Sequence, residues 1–292
     1  MSLDWAGRLT HSRRMVILLS VFVLLVVLFP LFFYFCTLLV NQRHGSLVRI
    51  RSETPGFWWK VVCGWLNSIW STALIGASYP FQRLLARKGT GQGVPVLLVH
   101  GLYHNHAAWL FFGRWLQREG YDNLTTVSYN SFTRTYPEIV QEVGRVLERI
   151  IHDNPGSKVL LVGHSLGGLV IHGLLAEKRF QGCFAGVVTL GTPHQGSALG
   201  RIAIGRLGRS LRPDNPLFHT LRALPEPEDV PRLSIFAPLD SMVMPEPCLR
   251  IHKPGWREER WSIGVSHVGL IYHRPLARRV ARFFREIGQP GD

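Results

Sequence analysis

Residues 15–40, "MVILLSVFVLLVVLFPLFFYFCTLLV", are 26 consecutive uncharged positions without a polar face, and a helix needs only about 20 apolar residues to cross the hydrocarbon core of a bilayer. The run predicts an uncleaved transmembrane helix near the N-terminus. A secretory signal would have an apolar region of about 7 to 15 residues followed by a small-residue cleavage site, and "LLVNQRHG" offers none. Pro30 predicts a kink, which membrane helices tolerate. In the next stretch, "GFWWKVVCGWLNSIWSTALIGASYPF", Lys60 and Asn67 interrupt the apolar pattern, while Trp58, Val62, Trp65 and Ile69 share one helical face. This predicts an interfacial helix lying along a membrane; a second span and packing against the rest of the protein are the alternatives.

The basic, glycine-rich "ARKGTGQG" of residues 86–93 reads as a linker, and beyond it strand-like and helix-like runs alternate. "VPVLLVHG" is a buried strand, "AAWLFFGRWLQREG" a helix closed by Gly120, "LTTVSY" a strand and "YPEIVQEVGRVLERII" an amphipathic helix. The apolar run Val159–Val162, then "FAGVVTLG" and "RLSIFAPLD", continue the strands. A last strand is expected near "RWSIGV", and "PLARRVARFFREIG" is the closing helix. Such alternation predicts a parallel sheet with helices on both faces and functional groups at the C-terminal strand ends. Three regions follow: an N-terminal flank and anchor over 1–45, a tryptophan-rich amphipathic segment with linker over 46–93, and a catalytic domain over 94–292. As a separate anchor, the first region should be removable without loss of activity on a soluble ester.

The chain has 292 residues, 46% of them hydrophobic, which excludes a disordered protein. Lys+Arg 33 against Asp+Glu 19 gives a net charge of +14, suited to nucleic acid or to an anionic membrane surface. No nucleic-acid recognition motif accompanies the arginines, so the charge points to membrane lipids. Arg8, Arg13 and Arg14 before the long run balance Arg43, Arg49 and Arg51 after it, so the positive-inside rule assigns no side. Of the four cysteines, Cys36 and Cys63 lie in the two apolar segments, and Cys183 and Cys248 either pair or stay free. His104 and His106 form an H-x-H pair without a nearby carboxylate or cysteine, which favours loop packing over metal binding.

"KVLLVGHSLGGLVIHGLLAEK" runs from the apolar strand into a helix whose Leu169, Ile171, Leu174 and Leu175 repeat with helical spacing. Ser165, with Gly163 and Gly167 two residues to either side, therefore occupies a strand-to-helix corner. That is the context of a G-x-S-x-G nucleophile elbow, where a strained turn exposes a serine hydroxyl.

"HGLYHNHAAW", "GHSLGG", "GTPHQGS", "LDSMVMPE" and "SHVGL", in that order, resemble the α/β-hydrolase superfamily, particularly its lipase-like members, over residues 94 to about 287. The resemblance implies an α/β-hydrolase fold with a predominantly parallel sheet of about six strands, the two leading strands of larger members being absent. It also implies the chain order serine, acid, histidine. Asp240, directly after the apolar run "SIFAP", is the expected acid, whereas Asp214, Glu226, Glu228 and Asp229 lie in polar, proline-rich stretches and are expected to be solvated. His267, between the last strand and the closing helix, is the expected base; His252 comes too early and His273 falls at the start of the helix. The oxyanion would be held by the backbone N–H groups of Leu166, after the nucleophile, and of Leu102, after His100-Gly101. His194 is expected to form a wall of the site. Between residues 195 and 231 an insertion with Ile202, Ile204, Leu207 and Leu211 interleaved with Arg201, Arg206, Arg209 and Arg212 is expected, either as a basic amphipathic lid or as an ordinary solvated helix face.

These residues imply a membrane-anchored serine hydrolase that cleaves carboxylic esters of lipids or other apolar acyl substrates through an acyl-enzyme, with no cofactor. An acyltransferase or thioesterase would use the same groups. A non-catalytic membrane-bound binding protein on the same fold is the rival from a different class, and the intact Ser165, Asp240 and His267 count against it.

Overall fold

The computed structural model describes residues 5–90 and 92–288. Runs of β-branched and leucine side chains build the middle of one sheet. β1 (Val96–Val99), β3 (Val159–His164) and β5 (Arg232–Phe236) are buried at every position, and β4 (Phe184–Leu190) at all but Ala185. The unbroken apolar runs Val96–Val99 and Val159–Val162 suit strands covered on both faces; β5 buries Arg232 and Ser234 as well. β2 (Leu124–Val127) and β6 (Trp256–Arg260) are the edges. The order is β2-β1-β3-β4-β5-β6 and every neighbouring pair is parallel.

The last strand lies earlier than "RWSIGV" suggests. It is the charged "WREER", and Ser262–Val265 belong to the loop that follows. An edge strand pairs on one side only and keeps much of its surface in water, so it need not show an apolar run.

Helices cover the two faces. On one, α5 (Tyr136–Asp153) and α6 (Leu166–Ala176) pack Val143, Leu147, Leu169 and Leu174 against Leu97, Val99 and Leu161. On the other, α4 (Leu110–Arg118) and α9 (Arg274–Gly288) pack Phe112, Leu116, Val280 and Phe284 against Val96, Leu98 and Val162. α5 starts at a capping box in which the Thr135 N–H donates to Glu138 Oε2 at 2.7 Å. Each large side chain buried along these faces contributes about 1.5–3 kcal/mol.

The chain leaves β1 toward β2 and returns to place β3 on the other side of β1. The connections after β1 and β3 therefore run in opposite directions. A crevice opens at the carboxyl ends of those two strands, where open parallel sheets bind their ligands.

The insertion after β4 holds a 3-10 turn (Ala198–Arg201), α7 (Gly205–Ser210) and α8 (Pro216–Ala223). Its apolar residues divide: Leu207 and Leu211 are buried in the core, while Ile202 and Ile204 are 63% and 70% exposed among the solvated Arg201, Arg206, Arg209 and Arg212.

The N-terminal segments form α1 (Trp5–His44), α2 (Leu47–Ser52) and α3 (Phe57–Ser78). α1 is continuous through Pro30. Among its described side chains Pro30, Tyr34, Thr37 and Asn41 are buried along one face, while Leu28, Phe29, Leu31, Phe32 and Phe35 are exposed. α3 buries Phe57, Gly64, Ser71 and Ser78, seven residues apart, and exposes Trp58, Trp59, Val62, Leu66 and Trp70. Trp65 and Ile69 are only partly buried. By length and composition, Val26–His44 and Phe57–Phe81 are each long and apolar enough to cross a membrane. The linker residues run beside β2: the Arg87 N–H donates to Thr126 Oγ1 at 3.0 Å and the Thr126 N–H to the Arg87 carbonyl at 3.1 Å.

Candidate active site

Ser165 stands between the end of β3 and the first turn of α6 with φ +54° and ψ −124°. A non-glycine residue in that region costs about 1–3 kcal/mol and persists only where its surroundings enforce it. Here they do. The Ser165 N–H donates to the Leu190 carbonyl at 2.9 Å, and Thr192 Oγ1 donates to the Ser165 carbonyl at 3.1 Å. Gly167 lies so close to β1 that an added Cβ would run into the Val99 carbonyl oxygen. Leu166 is the first residue of α6, where helix N–H groups lack intrahelical acceptors and the dipole favours negative charge.

Asp240 follows β5 and is 1% exposed. Its Oδ1 accepts from the N–H groups of Met242 and Val243, both at 2.8 Å, and His267 Nδ1 donates to its Oδ2 at 2.7 Å. Both carboxylate oxygens are engaged, so the group cannot rotate. With its proton on Nδ1, His267 presents a bare Nε2, the tautomer a general base requires. Gly191, at φ +56°, gives the pair room: an added Cβ would sit 3.2 Å from Asp240 Oδ2 and 3.4 Å from His267 Nδ1.

The serine and the imidazole are linked through His164. Its Nε2 donates to the His267 carbonyl at 3.0 Å, and the two rings stand 4.7 Å apart. Burial, reinforced by the charges of neighbouring histidines, holds His164 well below the usual imidazole range, so it donates as a neutral ring. Among the described residues no hydrogen bond joins the Ser165 hydroxyl to His267. Catalytic hydrogen bonds in unliganded sites commonly form only when substrate is bound.

The Leu102 loop is clamped independently. His100 Nδ1 donates to the Gly101 carbonyl at 2.7 Å, its Nε2 accepts from the Tyr129 N–H at 3.3 Å, and its ring stacks on Tyr129 at 4.1 Å. Burial pushes His100 down to about 3, so the clamp stays neutral. Gly101 abuts Ser165: an added Cβ would lie 2.8 Å from Ser165 Cβ. Leu102 thus begins a loop in direct contact with the elbow.

Tyr103 escaped the sequence reading. It has φ +58°, its N–H donates to Ser131 Oγ at 2.8 Å, its ring stacks on Phe132 at 4.7 Å and its hydroxyl donates to the Ile204 carbonyl. It ties the Leu102 loop to the insertion. An aromatic residue forced to positive φ leaves no trace in composition or spacing.

Two expectations need correction. His194, partly buried, belongs to a polar chain: its Nδ1 lies 3.1 Å from His172 Nε2 and its Nε2 3.1 Å from Ser234 Oγ. Glu226 is not solvated. It lies 2.6 Å from His172 Nδ1 and accepts from Lys253 Nζ and Trp256 Nε1, both at 2.7 Å. Burial raises its carboxyl, but the bonds from His172, Lys253 and Trp256 outweigh burial and bring it down to about 2. Glu246 is wholly buried between Arg49, at 2.5 Å, and Arg250, at 3.4 Å. All four cysteines are free. His106 Nδ1 lies 2.8 Å from Thr126 Oγ1, and His104 Nδ1 accepts from the Asn105 N–H at 2.9 Å.

A strained serine at a β3–α6 turn, beside a carboxylate–imidazole pair at the ends of parallel strands, is the layout of an α/β hydrolase. The chain belongs to the alpha/beta hydrolase family, whose model matches residues 96–289. Among solved structures it is similar to the mature lipase BlEst2 of Bacillus licheniformis, with TM-score 0.56 and 18% identity over 69% of this chain and 94% of that one. It is also similar to lipase B of Aspergillus fumigatus, with TM-score 0.55 and 15% identity over 65% of this chain and 51% of that one. At these identities the likeness is one of fold. A search of curated proteins matched none to this chain.

Proposed function

We propose that the protein is a membrane-anchored serine hydrolase acting on carboxylic esters of lipids or other apolar acyl compounds. The observation that carries the reading is the 2.7 Å Asp240–His267 bond beside the strained Ser165. Ser165 Oγ attacks the acyl carbon as its proton passes to His267 Nε2. Asp240 keeps the other ring nitrogen protonated and steadies the imidazolium. The backbone N–H groups of Leu102 and Leu166 hold the oxyanion, each worth a few kcal/mol in the transition state. Collapse expels the alcohol, which takes the proton from Nε2, and water, activated by the same imidazole, hydrolyses the acyl-enzyme.

A membrane-resident substrate is favoured by the exposed apolar surface of the N-terminal helices and the insertion. α1 keeps Phe29, Phe32 and Phe35 exposed, α3 adds Trp58, Trp59 and Trp70, and the insertion adds Ile202 and Ile204 among arginines. Exposed to water, such a set of apolar side chains is unfavourable; against a bilayer it is matched. The similar folds named above are those of lipases. In this reading residues 1–45 anchor a single-pass protein, 46–93 lie along the interface, and 94–292 form the hydrolase domain with its lid.

The test is turnover by full-length protein in mixed micelles on short-chain and long-chain carboxylic esters and on phospholipids, with Ser165→Ala as control. Hydrolysis that disappears in the variant supports the assignment. Hydrolysis that persists in it, or none on any ester by folded protein, refutes it.

A further inference from the structure

The uncharged run and the tryptophan-rich helix read, in sequence, as an anchor separable from the catalytic machinery. Their contacts are different. Thr37 on α1 donates through Oγ1 to the backbone carbonyl of Asp240 at 3.2 Å, and both residues are about 1% exposed. One turn on, Asn41 accepts at Oδ1 from the Glu246 N–H at 2.8 Å and donates through Nδ2 to the Thr37 carbonyl at 2.8 Å. Ile50 and Phe57, from α2 and α3, pack on Leu239, the residue before the acid.

α3 does the same for the base. Asn67 Oδ1 accepts from both the N–H and the Oγ of Ser266, each at 2.9 Å, and Ser266 Oγ in turn accepts from the Gly269 N–H at 3.0 Å. Ser266 is 1% exposed and immediately precedes His267. The fit is close: a Cβ added to Gly269 would collide with Asn67, and one added to Gly264 would lie 2.7 Å from Cys63 Cβ.

We propose that α1 and α3 are part of the active site, with Asn67 the positioning residue for His267 and Thr37 the positioning residue for Asp240. This rests on the reading of Asp240 and His267 as acid and base. The physical reason is that a buried backbone N–H must find an acceptor. Without the Asn67 oxygen, the Ser266 N–H and O–H lose their shared partner, and the turn carrying His267 relieves the loss by moving. A displacement near 1 Å at a reacting group lowers turnover by about 10²-fold. The helices that meet the membrane thus also set the separation of the proton-transfer groups.

Asn67 contributes only its acceptor oxygen, so Asp at 67 preserves the contact while adding a negative charge near the imidazole. Asp240 and His164 are the ionisable groups in contact with His267; Tyr272 follows on the same turn, and Lys60 and Cys63 on α3 lie against Gly264. A new carboxylate here favours imidazolium.

The experiment compares wild type, Asn67→Ala, Asn67→Asp, Thr37→Val and Ser165→Ala, as full-length proteins in micelles, on a soluble short-chain nitrophenyl ester. Asn67→Ala should lower kcat about 10- to 100-fold with KM within about twofold. Asn67→Asp should recover most of kcat while moving the acid limb of the kcat/KM profile to higher pH, a shift that a merely structural role would not produce. Thr37→Val, which keeps shape and loses the hydroxyl, should lower kcat severalfold and serves if Asn67→Ala fails to fold. Wild-type kcat in Asn67→Ala, or in Thr37→Val where that variant stands alone, overturns the inference, as does an Asn67→Asp variant no better than Ala. If Ser165→Ala stays active, the hydrolase reading itself fails; if it is dead while the helix variants are unimpaired, only the positioning role fails.

Discussion

Replacing Asp240 with Asn changes one atom and should lower kcat by about 10⁴-fold, or about 5.5 kcal/mol at 1.36 kcal/mol per tenfold. The size follows from how the carboxylate is held. One oxygen accepts from Met242 N–H and Val243 N–H, and the other faces His267 Nδ1. An asparagine must give its single oxygen to one side. Turned toward His267, it would leave its amide N–H₂ pointing at two backbone donors. Turned toward the backbone, it satisfies both and presents N–H₂ to the imidazole. The second arrangement wins by a donor–acceptor count of two to one. His267 Nδ1 must then accept, its proton moves to Nε2, and the nitrogen proposed to take the Ser165 proton can no longer do so. Because the site is buried and the side chain isosteric, the fold should survive. The assay is steady-state hydrolysis of a short-chain ester, with thermal unfolding measured in parallel and Glu246→Gln as comparison, since Glu246 serves Arg49 and Arg250. Turnover of Asp240→Asn within tenfold of wild type, or a larger loss in Glu246→Gln, would refute the tautomer argument.

Ser165→Gly should abolish turnover yet raise Tm by a few degrees, because glycine removes the cost of φ +54°; a lower Tm would show that the turn is not strained. Glu226, ordinary in the unfolded chain and held near 2 in the native one, supplies stability present above its unfolded pKa of about 4.3 and lost as pH falls toward 2, on the order of 3 kcal/mol. Glu226→Gln should therefore flatten the pH dependence of chemical denaturation between about pH 5 and 2, and an unchanged slope would contradict the buried network. Fragments lacking residues 1–45 should sediment with anionic vesicles at low salt and release as salt rises, and Trp58→Ala/Trp59→Ala/Trp70→Ala should weaken this further; binding indifferent to both salt and the tryptophans would exclude the interfacial face.

The inner strands and the elbow were legible because burial on both faces demands an unbroken apolar run and a sharp turn demands glycine. Val96–Val99 and Val159–Val162 carry the first signal and Gly163 and Gly167 the second. The edge strand Trp256–Arg260 does not, since an edge exposed to water tolerates Arg257, Glu258 and Glu259. The chain order that the resemblance implies singled out Asp240 and His267, which the structure joins at 2.7 Å, but nothing in the sequence pointed to the residues that support them. Thr37 meets Asp240 across 203 positions and Asn67 meets Ser266 across 199. In sequence Thr37 is one more uncharged position of the long run, and Asn67 reads, with Lys60, only as a break in an apolar pattern. Glu226 misled for the same reason: its partners His172, Lys253 and Trp256 lie 54, 27 and 30 positions away, so only its proline-rich neighbourhood was visible.

Covalent labelling reads out directly whether Ser165 is an activated nucleophile. Full-length protein in mixed micelles is treated with a fluorophosphonate, digested with trypsin and read by mass spectrometry. Cleavage after Lys158 and Lys178 releases Val159–Lys178, whose one hydroxyl-bearing residue is Ser165. The phosphonyl mass should appear on that peptide, at a rate that falls sharply in Asp240→Asn. Labelling confined to another peptide, or none on protein shown to be folded, would contradict it.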